Sequence, residues 1–301
     1  MPDEQGETYR QFVDFFARPA RTDILRTPDE YGMAYEDVTF PATDGTEIKG
    51  WFIPADSDRL IIMNHFLNGN RYGYPGHKIP NDLVGFEVNY VQQHKTLHDA
   101  SYNILAYDLR NMGQSGTAND GRAGGGQFEY RDVIGSLRYA KSRDDTAHMK
   151  TGLFSICYGC NSTFHAIDKH PEEFQHVKAL LGLQPASLGA MLERAAENLG
   201  IDKEAARSLA ASRMLEKTGF SLNQLSPIDA AKSVFLPTLL VQVHDDAMTY
   251  PSDVQAMHDN VAAADKKLFW IEGTTNRFDG YTYFNDHPEL LLEWFDSHID
   301  K

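Results

Sequence analysis

The residue of this chain best placed to do chemistry is Cys157. It closes a short apolar run, Gly152 to Ile156, and a helix-compatible segment begins straight after it, in Thr151-Gly-Leu-Phe-Ser-Ile-Cys-Tyr-Gly-Cys-Asn161. Ser155 and Gly159 stand two positions either side, small enough for a strand and a helix to meet closely around a sharp turn whose tip residue points into an active site. A helix N-terminus offers unpaired backbone N–H groups and the positive end of the helix dipole, an environment suited to a nucleophilic sulfur. A thiol also depends less on a neighbouring base than a hydroxyl does. Two plainer readings stand beside this one. A lone cysteine often fills a small buried gap, and Cys160 completes a Cys-x-x-Cys that admits a redox pair.

The pattern around Cys157 resembles the nucleophile elbow of the α/β-hydrolase superfamily, and within it the cysteine-nucleophile enzymes such as dienelactone hydrolase. The resemblance spans roughly residues 35 to 300 and includes Asp108-Leu-Arg-Asn-Met-Gly-Gln-Ser115, which looks like the superfamily's turn after its fourth strand. It implies the chain order nucleophile, acid, histidine. Val243-His-Asp-Asp-Ala247 occupies the acid's place, with Asp246 preferred because Ala247 follows it, and Asp245 its rival. The histidine is where the pattern breaks. After Leu268 to Ile271 comes Glu272-Gly-Thr-Thr-Asn-Arg-Phe-Asp-Gly280, and the column expected to hold His holds Asn276. An amide neither takes nor delivers a proton near neutral pH. The next histidine, His287, stands before Pro288; His65 and His244 lie at strand ends on the face of the site. Three readings therefore compete: another histidine such as His287 completes the triad, Cys157 works without an in-line histidine, aided by the helix dipole and Asn276, in a restricted reaction, or the protein binds a ligand without hydrolysing it.

The resemblance further implies an oxyanion hole built from the backbone N–H of Tyr158 and one from Phe66 or Leu67. His65, Leu67, Tyr72 and Phe278 are expected to line the substrate pocket, with Tyr74, Tyr281 and Tyr283 nearby, a lining suited to an acyl or aromatic substrate. No His, Cys or Asp cluster shows metal-ligand spacing, so neither metal nor cofactor is expected. Asn161-Ser-Thr163 is a glycosylation sequon on an expected buried helix, and the Gly-rich Asp120 to Gly126 lacks the context of a phosphate loop. The activity expected is a hydrolase or acyl transfer on an ester, lactone or thioester through an acyl-Cys157 intermediate.

The elements that must position these residues alternate. Tyr35 to Phe40 and Glu47 to Ile53, either side of Asp44-Gly45, read as a β-hairpin. Strand-like runs follow at Leu60 to Asn64, Asn103 to Tyr107, Gly152 to Ile156, Val177 to Leu183, Pro237 to Val243 and Lys267 to Ile271. Helical spacing lies between them, at Leu83 to Leu97, Tyr130 to Tyr139 and Leu291 to Ile299. The fold class is α/β: a doubly wound, mostly parallel sheet. Ser187 to Gly200 and Asp202 to Gly219 are two helices with no strand between, a small cap within an insertion at 185–228. Residues 1–30 form an amphipathic arm for the body or for a second subunit, leaving a homodimer open.

With 301 residues the chain can hold one large domain. Its net charge of −15 argues against nucleic acid and anionic membranes as partners. No apolar run approaches the roughly 20 residues that cross a bilayer. Two cysteines and a polar N-terminus fit a reducing compartment and point to the cytoplasm.

Overall fold

The computed structural model describes residues 4–79 and 85–300. Eight strands form one sheet: β1 (Glu36–Pro41), β2 (Glu47–Ile53), β3 (Arg59–Met63), β4 (Asn103–Tyr107), β5 (Lys150–Ile156), β6 (Val177–Leu183), β7 (Thr238–Val243) and β8 (Lys266–Ile271). Their order is β1-β2-β4-β3-β5-β6-β7-β8, and only β2 runs antiparallel to its neighbours. Strand β5 sits centrally, and its apolar run follows from that place. Residues 151–156 are buried throughout, as expected where both faces of a parallel sheet are covered.

The helices are α1 (Glu4–Ala17), α2 (Val91–Asp99), α3 (Tyr130–Ser142), α4 (Tyr158–Lys169), α5 (Leu188–Asn198), α6 (Lys203–Thr218), α7 (Pro251–Asn260), α8 (Arg277–Asp286) and α9 (Glu289–Ile299). One core joins α3, α4 and α7 to one face of the sheet. A second joins α2, α8 and α9 to the other. Alternate strand residues supply the two cores: Ile61 and Met63 point to one, Leu60 and Ile62 to the other.

A third core lies outside the sheet, between α1, α5 and α6, where Tyr9, Val13 and Ala17 pack on Leu192, Ala206, Ala210 and Met214. The N-terminal arm thus joins the cap helices of its own chain. Paired ions fix it there: Arg213 reaches both oxygens of Asp14, at 2.7 and 2.6 Å. Asp202 caps α6 by accepting the Ala205 N–H, and Gly219 closes it in the left-handed region.

One expected helix is shorter than its periodicity suggested. Glu87–Asn89 is a strand paired with Gly73–Pro75, and α2 starts at Val91; Leu83 lies outside the described residues.

Candidate active site

The strand-to-helix turn is sharp. Cys157 has φ 51° and ψ −110°, a region costly to a side-chain-bearing residue by about 1–3 kcal/mol and common where a functional group must be held out. Its N–H is bonded to Leu183 O at 2.7 Å, so β6 holds the turn in place. Gly159 has to be glycine: a Cβ there would stand 2.1 Å from Asn64 Oδ1 and 2.9 Å from the backbone oxygen of His65. That close approach lets Gly159 N–H bond to His65 O at 3.1 Å, joining the elbow to the loop after β3.

Asp246 follows β7 and is 2% exposed. It accepts from Thr249 Oγ1 at 2.8 Å, Met248 N–H at 2.8 Å and Gln242 Nε2 at 3.1 Å. Its charged partner is Arg277, whose Nη1 lies 2.6 Å from Asp246 Oδ2 with both side chains 1% exposed. Arg277 Nη2 donates to Cys157 Sγ at 3.5 Å and to Gln184 O. Arg277 Nε donates to Tyr281 Oη at 2.9 Å. Burial pushes the Tyr281 phenol well above its ordinary value, so it stays protonated. One guanidinium therefore spans Asp246 and Cys157, where the resemblance places a histidine.

Asn276 is one residue short of this role. It is the exposed N-cap of α8: its Oδ1 accepts the Phe278 N–H at 3.1 Å and its Nδ2 donates to Asp279 at 2.9 Å. An Asn opening a helical run carries that signal in sequence, and it makes the next residue, Arg277, the one that turns inward. His287 does not join the site either. It is exposed at the C-terminal end of α8, stacked on Tyr283 at 4.6 Å, ten residues or about 15 Å of helix away from Arg277. His65 is a brace, absent from the cavity wall. Its Nε2 accepts the Leu109 N–H at 2.9 Å and its Nδ1 meets Phe66 O at 2.8 Å. That pairing fixes a neutral tautomer with the proton on Nδ1, and burial lowers its basicity further. Tyr72 also points elsewhere, donating to Glu87 at 2.7 Å. Asp245 lies at the surface beside His244, 2.8 Å away.

Cys157 opens onto a cavity of about 320 Å³. Phe66, Leu67, Tyr74, Tyr158, Phe278 and Tyr281 line it from the body, while Phe12 and Phe16 of α1 and Met191 and Met214 of the cap close it. Phe66 stacks flat on Tyr281, ring centroids 4.7 Å apart. Neither the Phe66 nor the Tyr158 backbone N–H has a hydrogen-bond partner among the described residues. The Tyr158 ring is anchored by Gly124 and Gly125, whose N–H groups both reach its oxygen at 3.0 Å. Asp108 accepts from Arg71 N–H at 2.7 Å and Arg71 Nη1 at 2.6 Å, so the turn after β4 braces the loop that carries Phe66.

Cys160 is fully buried and its thiol is pushed up by desolvation, then by Cys157; it packs under the sheet side of α4. His244, Asp245 and Glu272 bring three possible ligand atoms within 4.8 Å of one another at the surface, an empty cluster that linear spacing did not reveal.

The strand order and the strained turn between β5 and α4 decide the architecture. The chain has the α/β-hydrolase fold. No family profile matches it. Over 94% of the chain it is similar to the esterase Pf2001 of Pyrococcus furiosus, covering 98% of that chain at a TM-score of 0.70 and 16% identity. It is similar to the dienelactone hydrolase of Anabaena variabilis at a TM-score of 0.54 and 16% identity, covering 89% of this chain and 99% of that one. It is also similar to the α/β-hydrolase GrgF of a Penicillium species, at 0.61 and 17%, covering 89% and 100%. Among curated proteins it resembles the uncharacterized protein YfhR of Escherichia coli K12, 26% identical over 168 residues, which cover 54% of this chain and 51% of that one. The chain thus spans about half the length of the curated relatives it matches.

Proposed function

We propose that this α/β-hydrolase-fold protein accepts an acyl group on Cys157 from a small, largely apolar substrate whose leaving group departs without help from a side-chain acid. Activated acyl carbonyls of this kind are thioesters first, then strained lactones and aryl or enol esters. The observation that carries the reading is the Asp246–Arg277–Cys157 chain at the floor of the cavity. A guanidinium stays charged at every working pH, so it is no proton shuttle. It is suited to stabilising negative charge on a sulfur.

The step runs as follows. The Cys157 thiolate adds to the carbonyl carbon and a C–S bond forms. The carbonyl oxygen takes the negative charge, facing the unpartnered N–H groups of Tyr158 and Phe66. The bond to the leaving thiolate or oxyanion then breaks, and that group leaves with the electron pair and takes its proton from water. The acyl group stays on sulfur until a second nucleophile, water or another acceptor, removes it. Among the described residues the side chain hydrogen-bonded to the sulfur is Arg277, which cannot activate that nucleophile as a histidine does, so transfer to a better nucleophile than water is favoured. The similar structures, an esterase and a dienelactone hydrolase, support acyl chemistry at this fold.

Intact-mass spectrometry after mixing with a panel of short acyl thioesters, lactones and aryl esters tests it. An adduct of the acyl mass on wild type and none on Cys157→Ala is the expected result. Turnover that persists in Cys157→Ala, or no adduct with any substrate, overturns it; the latter would leave a ligand-binding protein.

A further inference from the structure

The cavity beside Cys157 is walled mostly by carbon, and two buried amides interrupt that wall: Asn68 and Asn161, 2% and 5% exposed. Each spends one end of its amide on the protein. Asn68 Oδ1 accepts the Ala20 N–H at 2.7 Å, and its Nδ2 has no partner. Asn161 Nδ2 donates to Ala186 O at 2.9 Å, and its Oδ1 has no partner. The anchoring bonds fix which end is which, because a backbone N–H needs the amide oxygen and a carbonyl needs the amide nitrogen. Two residues lining the cavity therefore each keep one unused amide end, a donor on Asn68 and an acceptor on Asn161. Leaving such atoms buried and unpaired is unfavourable, and a ligand that pairs them recovers that loss.

We propose that Asn68 and Asn161 form a polar subsite selecting acyl groups that carry a neutral substituent able both to accept and to donate a hydrogen bond: a hydroxyl or a secondary amide. The inference rests on Cys157 as the acyl acceptor. A carboxylate would set a second acceptor against Asn161 Oδ1, and an ammonium would set its hydrogens against Asn68 Nδ2. Either charge would also lose its water in an apolar cavity. Position narrows the class further. Asn161 lies one turn along α4 from Cys157, its N–H bonded to Cys157 O at 3.0 Å, and Asn68 follows Phe66 by two residues. The substituent therefore belongs close to the reacting carbonyl, at its α or β carbon, and the chain beyond it lies against the aromatic wall.

Three thioesters of equal chain length test this: a plain acyl chain, its β-hydroxy form and its α-acylamino form, with the matching methyl ketones as uncleavable probes. Wild type is expected to acylate faster with one substituted member, by about tenfold or more in kcat/KM. The same ketone should raise Tm more than the plain one, and whichever substituent wins identifies the group. Asn161→Leu and Asn68→Leu should each cut that preference through KM while still forming the plain acyl adduct. Equal handling of all three by wild type, in rate and in ketone binding, overturns the subsite, as does a preference undiminished in both variants. If no thioester acylates Cys157, the parent reading fails, yet ketone binding to wild type still decides the subsite. That binding also stands if a leucine variant does not fold.

Discussion

Arg277 changes what each neighbouring residue is worth. It is held by Asp246, Gln184, Tyr281 and the Cys157 sulfur at once. Arg277→Gln strands the buried Asp246 carboxylate without its cation, a loss of about 3–5 kcal/mol that a denaturant midpoint will read. The same variant should lower the rate of Cys157 alkylation by iodoacetamide, about tenfold or more. An unchanged rate would remove the guanidinium from the proposed chemistry. Arg277→His tests the missing proton acceptor directly. A ring reaching both Asp246 and Cys157 should speed loss of the acyl group to water by about 10²-fold, read as decay of the adduct mass; no acceleration would show that the slot cannot seat a working base. At this scale the resemblance pointed to Cys157 and Asp246, and the structure joins both to one guanidinium. Arg277 itself was not legible, because chemical expectation put a histidine in the column and the inward-facing position lies one residue beyond it. The Asn276 cap was the only local sign of that offset.

Helix α8 aims the arginine, and its packing leaves little freedom. Gly280 faces Gln184 so closely that a Cβ would stand 1.5 Å from Gln184 Nε2, while that same nitrogen bonds Arg277 O at 3.0 Å. Gly280→Ala should therefore displace Gln184 and tilt Arg277, reducing Cys157 acylation more than it reduces Tm; a stability loss with acylation intact would limit Gly280 to packing. The cap makes its own prediction. Helix α1 supplies Phe12 and Phe16 to the cavity while burying Tyr9, Val13 and Ala17 against α5 and α6. Val13→Asp should loosen the helix, speed trypsin cleavage at Arg10 and Arg18, and weaken binding of apolar ligands. Cleavage at the wild-type rate would show that the Asp14–Arg213 pair alone holds it. Periodicity and end signals disclosed the hairpin, the sheet strands and both cap helices. They did not disclose the short strands at 73–75 and 87–89, since three residues are too few for a repeat to show. Nor did an amphipathic pattern at the N-terminus specify which surface it would cover.

At the scale of the whole molecule, buried histidines set the acid limit of stability. Burial holds His94 at about 3 and, with a push from Lys169, His165 at about 4; burial and Lys141 hold His176 at about 4, all below the ordinary 6.5. These groups are neutral in the folded chain and protonate in the unfolded one. Unfolded chains therefore bind more protons, and stability falls as pH drops from about 6.5 toward 4. Each such histidine steepens the fall by up to about 1.4 kcal/mol per pH unit. His94 is 1% exposed with neither ring nitrogen bonded, so His94→Leu should flatten the Tm profile between pH 6 and 4. A profile as steep as wild type would assign the acid sensitivity elsewhere. The α/β class and the sheet's direction were readable from the alternation of strands and helices, whereas these burials emerge only once distant segments pack.

A site with a proton-carrying ring resets itself after each event, and a site wired to a guanidinium waits. With the proposed chemistry, the share of molecules loaded at any moment reflects how fast acyl donors arrive against how fast acceptors depart with the cargo. The protein would then act less as scissors than as a berth. Its loading state, measured in a cell extract by mass, would report the local balance between supply and demand.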